Sequence, residues 1–315
     1  MVAAYQAERT LSAALDSALD QTHHAAEIVV CDDGSTDGTA ALLTSYGDRV
    51  RVVRQANGGE AAAKNAAVAA ATGDYVVVLD ADDVFLPRRL EALSWLATRR
   101  ADLDVLTTDA VVEADGRAVR RAYHPGWVFP VEDQRSAILS RNFVLGLAAV
   151  RRDRWLEVGG FDEGLSRTTD WDFWLRLVLS GSQVGLVDEP LARYRLTTGT
   201  LSSDRVRLVE GRIEVLSRAL DRTDLTTSER TVAADSLARQ RRELDSRRAD
   251  ASLTSGGWSA RVAHTRVLTA RGVPVRRRLF AGLVMAAPAF AARRRRRRSD
   301  GTTEIGAGVR VPDRP

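Results

Sequence analysis

TGDYVVVLDADD (72–83) opens on a Gly-Asp turn, runs through five consecutive apolar residues and stops on three carboxylates. A strand apolar at every position is one covered on both faces. In an open α/β sheet, ligands bind beyond the carboxyl ends of the strands. Asp80, Asp82 and Asp83 therefore stand where a ligand is met. If the strand continues, Asp80 and Asp82 share a side. Like charges ~4 Å apart repel by about 1 kcal/mol in water and by several times that when partly buried. Three clustered acids thus demand a cation. Oxygen-only donors suit a hard ion, Mg²⁺ or Mn²⁺, bound jointly with phosphates.

The same grammar repeats upstream. EIVVC (27–31) is a buried strand that runs into Asp32, Asp33 and a Gly-Ser-Thr turn. Thr36 or Asp37 is placed to cap a helix over 37–46, and Asp33 to accept a hydrogen bond from a nucleobase ring N–H. VRVVR (50–54) is the next strand, and NGG (57–59) turns into an Ala-rich helix over 59–71. Leu11, Ala14, Leu15, Ala18 and Leu19 fall at helical spacing within 8–20. Pro87 opens another helix, and 104–112 is a further strand. The rhythm is that of an α/β protein, a mostly parallel sheet with helices on both faces. A full strand belongs before the helix at 8–20. Only MVAAY is available there, so the first strand reads as truncated, with the start placed too far downstream.

Beyond 113 the rhythm loosens. EADGR (113–117) is a hairpin turn, helices are expected at 132–140 and 170–180, and strands at 184–187 and 191–196. In GGFDEGLSRTTDWDFWLRL (159–177), Asp170 and Asp172 open an amphipathic helix, where the dipole stabilises an anion. The chain reads as one α/β domain in two halves, 1–112 with the first carboxylate clusters and 113–202 with Asp170, then a charged helical extension over 203–250 and a basic tail over 251–315, disordered from 299.

Composition excludes several classes. Of 315 residues, 44% are hydrophobic and 28% charged, enough for a buried core. The single cysteine, Cys31, rules out an intrachain disulfide and a cysteine zinc site. G-x-G-x-x-G and G-x-x-x-x-G-K-[ST] are both absent, which argues against a dinucleotide dehydrogenase and a P-loop NTPase. Asp33, Ser35, Asp37 and Gly38 mimic the start of a calcium loop, but the twelfth position is Thr44 rather than Glu. No leader segment and no run of about 18 apolar residues is present, so a cytoplasmic protein is expected. Lys64 is the only lysine; the other basic residues are arginines.

Taken together and in order, AAYQAERTL (3–11), VVCDDGSTDGT (29–39), NGGEAAAKNAAVAAATGDYVVVLDADD (57–83), VGGFDEGLSRTTDWDFWLRL (158–177) and EPLARYR (189–195) resemble the family 2 inverting glycosyltransferases of the GT-A fold. The resemblance covers roughly residues 1–200. It implies that Tyr5 and Asp33 hold the nucleotide base. Asp82 and Asp83 match the D-x-D region that contacts ribose and the diphosphate-bound Mg²⁺ or Mn²⁺, with Asp83 the better match to the metal ligand. Lys64 falls near the diphosphate, and Asp170 at the catalytic base. The implied donor is a nucleoside-diphosphate sugar, UDP first, with GDP and dTDP behind it. The implied acceptor is a glycan or lipid-linked glycan in envelope or exopolysaccharide assembly. Two positions depart from the pattern: Thr169 stands where an acid precedes the base, and Thr197 where a histidine follows the Tyr-Arg pair. The Q-x-x-R-W signature of processive synthases is absent, which favours addition of one sugar.

RRRLFAGLVMAAPAFAARRRRRR (276–298) sets apolar residues between arginine clusters. Fourteen such residues reach only about 21 Å as a helix, short of a ~30 Å bilayer core. A helix lying on anionic lipid at the cytoplasmic membrane face fits better. No aromatics interleave with the arginines, so nucleic acid is not the expected partner. Two rival readings remain. DADDV (80–84) fits the D-x-D-x-[TV] of haloacid-dehalogenase-type phosphatases, but no lysine follows Lys64. The other rival is a glycosyltransferase-like module that binds nucleotide or membrane without turnover.

Overall fold

In the computed structural model, Val78, fully buried, divides the 75–80 segment between two sheets. The structure describes all residues except 115, 125–126, 197–204, 256–264, 266–267, 269–274, 287–301, 306–308 and 313–315. The segment read from sequence as one strand is β4 (Tyr75–Val77) and β5 (Leu79–Asp80). β5 joins β1 (Val2–Ala4), β2 (Val29–Asp32) and β3 (Arg51–Arg54) in a four-stranded sheet of order β3-β2-β1-β5, every pair parallel. The three residues of β1 are therefore a central strand: Val2 aligns with Val30 on one side and Leu79 on the other. The strand expected before the helix at 8–20 is formed here by these three residues, with Val2 and Ala4 each 1% exposed. α1 (Leu11–Leu19), α2 (Thr39–Tyr46) and α3 (Glu60–Ala70) connect the strands. α1 buries Leu11, Ala14, Leu15 and Ala18 at the spacing read from sequence.

β4 enters a second sheet. β6 (Val84–Phe85), β7 (Val105–Ala114), β8 (Arg117–Arg121), β9 (Ala149–Arg151) and β10 (Val184–Leu196) complete it in the order β4-β9-β7-β10-β6, with β8 on β7. β4 with β9, β9 with β7, β7 with β8 and β10 with β6 all pair antiparallel. The strand expected at 104–112 thus belongs to this sheet and not to the parallel one. Its direction follows from the hairpin at Gly116, a residue at φ +74° that folds β7 back onto β8. The two strands expected at 184–187 and 191–196 are one strand that runs through Pro190. β6 lays Val84 against Arg193 and Phe85 against Ala192, which brings the DADD segment beside the Tyr-Arg pair.

α4 (Arg89–Arg99), α5 (Gln134–Ser140), α6 (Arg152–Glu157) and α7 (Thr169–Leu179) pack with the second sheet and its loops. α7 is seated by aromatic rings: Phe173 lies 4.4 Å from Trp155 and 4.7 Å from Phe161 between centroids. Trp171 Nε1 donates to Ile138 O at 2.9 Å and ties α7 to α5. Asp109, fully buried on β7, accepts from Arg121 Nε, from Tyr123 N at 2.9 Å and from Ala110 N at 2.7 Å. Arg121 also reaches Asp188 at 2.5 Å, so one guanidinium links β8 to two acids.

The chain divides into two compact units, Met1–Arg195 and Leu196–Pro315. The divide read at 112, between two halves of one domain, falls within β7, and both halves share the first unit up to Arg195. The second holds α8 (Arg205–Asp221), α9 (Thr227–Ser255) and α10 (Val275–Ala286). A capping box opens α9, with Glu229 N donating to Thr226 Oγ1 and Thr226 N donating to Glu229 Oε2 at 2.8 Å. The end expected to be disordered carries an antiparallel pair, β11 (Thr302–Ile305) with β12 (Val309–Pro312). Its β-branched residues suit a pleated pair.

Asp109→Ala strands two backbone donors and a guanidinium. It is expected to lose about 2–4 kcal/mol of unfolding free energy, read as a lower urea midpoint at unchanged slope. A midpoint equal to wild type would show that the hairpin does not depend on this carboxylate.

Candidate active site

The carboxyl end of the parallel sheet gathers charge. Lys64 Nζ lies 2.8 Å from Asp80 Oδ1 and 2.6 Å from Glu60 Oε1, with its side chain only 7% exposed. It also sits 5.4 Å from the centre of the Phe161 ring. Burial alone would lower the ammonium's pKa; the charges of Asp80 and Glu60 outweigh it and raise it. Lys64 is thus held at Asp80, the first acid of the motif, as a fixed counter-charge.

Asp82 and Asp83 have no such neutralisation. Burial and then the charge of Asp80 push Asp82 up to about 6. Burial, Asp80 and Asp82 hold Asp83 well above the usual carboxylate range. Asp83 Oδ1 accepts from Arg195 N at 2.8 Å, across the β6–β10 pairing. Asp83 Oδ2 is buried with no hydrogen-bond partner. A buried carboxylate oxygen left unpaired carries a desolvation penalty, and a hard cation would remove it. That orphaned oxygen, together with the crowding at Asp82, fits a divalent ion. Among the described residues no three acidic, His or Cys side chains form a ready-made cage. The remaining ligands must come from phosphate and water, as is usual for Mg²⁺. Beneath this corner lies the fully buried Arg89, stacked 4.7 Å from Phe85, donating to Thr108 Oγ1 and, at 2.6 Å, to Leu147 O. Burial brings its guanidinium down to about 10.

The loop after β2 forms a second corner. Asp33, 2% exposed, accepts at Oδ1 from Gln55 Nε2 and Gly58 N, both at 2.8 Å, and at Oδ2 from Gly59 N at 2.9 Å. Its carboxylate therefore holds the 55–59 turn that starts α3. Gly34 needs its φ of +74°, and a Cβ there would meet Asn57 N at 2.9 Å. Gln6, in the left-handed region at φ 50°, fastens the chain after β1 to the same loop: Gln6 Oε1 accepts from Thr36 N and Asp37 N. Tyr5, next to it, is 51% exposed and open to a ligand.

Asp170 stands in the first turn of α7, and Asn142 Nδ2 donates to its Oδ2 at 3.0 Å. The helix is preceded by Thr168 at φ 54°, an uncommon conformation for a β-branched residue. Asp172 has a different task. It accepts from Arg176 Nε at 2.8 Å, and Arg176 donates to Val158 O and Gly160 O, each at 2.7 Å. From α3, Asn65 clasps the same loop, accepting from Phe161 N and donating to Phe161 O, both at 2.8 Å. Gly160, at φ +70°, leaves no room for a side chain against Asn65. The start of the loop that leads to Asp170 is thereby held from α3 and from α7.

Tyr194 joins the two regions. Burial, then the charges of Asp83, Asp80, Asp170 and Asp82, raise its phenol. The charges of all four acids thus act on one phenol. Tyr194, Asn65, Asn142 and Arg176 were given no role on sequence grounds. Tyr194 was visible in the EPLARYR motif, whereas Asn142 lies outside every motif and only tertiary contact reveals it. Thr197 lies outside the described residues.

The match to known proteins agrees with this geometry. The model of "Glycosyl transferase family 2" matches residues 1–157. The putative teichuronic acid biosynthesis glycosyltransferase TuaG of Bacillus subtilis is 31% identical over 206 residues, 64% of this chain and 79% of that protein. Chondroitin synthase of Pasteurella multocida is 34% identical over 189 residues, and the match spans 58% of this chain but only 18% of that much longer protein. The crystal structure of S. aureus TarS 1–349 in complex with UDP-GlcNAc superposes with a TM-score of 0.62 at 18% identity, covering 99% of this chain and 95% of that one; at that identity the likeness concerns the fold, which is GT-A. By its match to TuaG and the family model, the chain belongs to glycosyltransferase family 2.

Proposed function

We propose that the protein transfers one sugar from a nucleoside-diphosphate sugar to a hydroxyl of a glycan or lipid-linked glycan acceptor, with inversion at the anomeric carbon. The observation that carries this reading is Asp83 Oδ2, buried and unpaired at the end of the DADD segment, while Asp83 Oδ1 is bonded to Arg195 N of the Tyr-Arg pair. Tyr5 and the loop fixed by Asp33 would receive the base, and Asp82 the ribose. Asp83, with Asp82, would hold Mg²⁺ or Mn²⁺. A divalent cation bound there supplies positive charge against the departing diphosphate. Lys64 keeps Asp80 neutralised, so the motif presents two carboxylates instead of three.

Asp170 then takes the proton of the acceptor hydroxyl. The new bond forms between that oxygen and the anomeric carbon as the bond to the diphosphate oxygen breaks. The nucleoside diphosphate leaves with the electron pair, and Asp170 retains the proton until it passes to solvent. UDP is the expected nucleotide, supported by a structural neighbour crystallised with UDP-GlcNAc. Participation in polysaccharide synthesis is supported by the names of the relatives. No helix among the described residues is long and apolar enough to cross a membrane. Peripheral contact at a cytoplasmic membrane face is supported by α10, where Val275 and Leu279 are 71% and 69% exposed beside Arg276 and Arg278. The arginine run at 293–298 lies outside the described residues.

A screen of UDP-, GDP- and dTDP-sugars for nucleotide release, with and without Mn²⁺, should give metal-dependent turnover with one nucleotide class. Asp170→Asn should reduce that turnover by about 10²–10⁴-fold. Nucleotide binding without any turnover would favour the non-catalytic module instead.

Metal-free stability gives a separate expectation. Asp82, at about 6 when folded against 3.8 unfolded, binds more protons in the folded state, so its contribution to stability falls as pH rises through that window. Without divalent ions, Asp82→Asn should exceed wild type by about 2–3 kcal/mol at pH 7.5, with the gap closing toward pH 4.5. A variant no more stable than wild type at pH 7.5 would contradict the charge crowding described above.

A further inference from the structure

We infer that Asn142 is a positioning residue that orients the Asp170 carboxylate toward the acceptor hydroxyl; this rests on Asp170 being the base. Asn142 follows α5 and meets the first turn of α7 through its side-chain amide. Its Nδ2 donates to Asp170 Oδ2 at 3.0 Å, and its Oδ1 accepts from Val144 N at 3.1 Å. The two contacts need opposite ends of the amide, so only one orientation satisfies both. The backbone that carries Asn142 is itself held. Tyr123 Oη donates to Phe143 O at 3.0 Å and accepts from Leu145 N at 3.2 Å. Phe143 and Val144 are buried, and the Trp171–Ile138 bond fixes the helix that follows against the one that precedes.

A carboxylate on a helix N-terminus can rotate about two side-chain bonds. Binding one oxygen to a rigid amide sets the plane of the group and the direction of its remaining lone pairs. A displacement of about 1 Å in such a group can lower a rate about 10²-fold. Thr168 works in the same direction, because its left-handed backbone fixes where α7 begins and hence where Asp170 starts.

The test uses the full chain, Mn²⁺ and the nucleotide-sugar found active in the screen, with nucleotide release measured against water as acceptor. Asn142→Ala should lower kcat by about 10–100-fold, with donor KM within twofold and the thermal midpoint little changed. Asn142→Ser keeps an acceptor for Val144 N but cannot reach Asp170, and should fall with Ala. The double variant Asn142→Ala/Asp170→Asn should be no slower than Asp170→Asn alone, because the amide acts only through that carboxylate. Wild-type kcat in Asn142→Ala, recovery in Asn142→Ser, or multiplied losses in the double variant would each overturn the inference. Full turnover in Asp170→Asn would instead remove the base assignment on which it stands.

Discussion

One buried cation keeps the carboxyl end of the sheet from flying apart. Lys64 Nζ contacts Glu60 and Asp80 within 2.8 Å, in a setting where burial alone would disfavour any charge. Without it, three motif acids and Glu60 would face each other across a poorly solvated corner. With it, repulsion is confined to Asp82 and Asp83. The corner is therefore stable enough to fold, yet still short of positive charge where a ligand would arrive. Removing one partner from such a pair leaves the other uncompensated, which is why these contacts are stronger constraints than their net energy suggests.

The helix that carries Lys64 also sets the distance to the other side of the site. The next residue, Asn65, brackets Phe161 with two hydrogen bonds, and Arg176 holds Val158 O and Gly160 O from α7. The acidic corner of the parallel sheet and the loop that leads to Asp170 are thus tied by neighbouring residues of one helix. Asp172 completes the arrangement by orienting Arg176. Of the two acids at the start of α7, Asp172 braces the loop, and Asp170 is the one proposed as the base.

Much of this was legible in the chain. Apolar runs ending in acids marked β2 and β5, and helical spacing marked α1 and α7, because those patterns record burial directly. The division of 75–80 at Val78 was not legible. Every residue from 75 to 79 is apolar, so periodicity holds no trace of a change of sheet. The placement of β7 in the antiparallel sheet was hidden for a related reason: the β-α-β rhythm records order along the chain and not which edge a strand joins. Site residues divide in the same way. Asp33, Lys64, Asp82, Asp83 and Asp170 carry charges that sequence context explains. Asn142 is a neutral amide in RNFVL, and its meaning lies in a partner 28 residues away.

The change of sheet at Val78 also partitions what a change of sequence can reach. The strand that ends on Asp80 is continuous, through a single residue, with β4 of the second sheet. The segments between β8 and β9 and between α6 and α7 take no part in the pairing that sets the register of β1, β2, β3 and β5. On the proposed reading, such a junction lets one donor-handling frame be joined to acceptor regions of different length and composition.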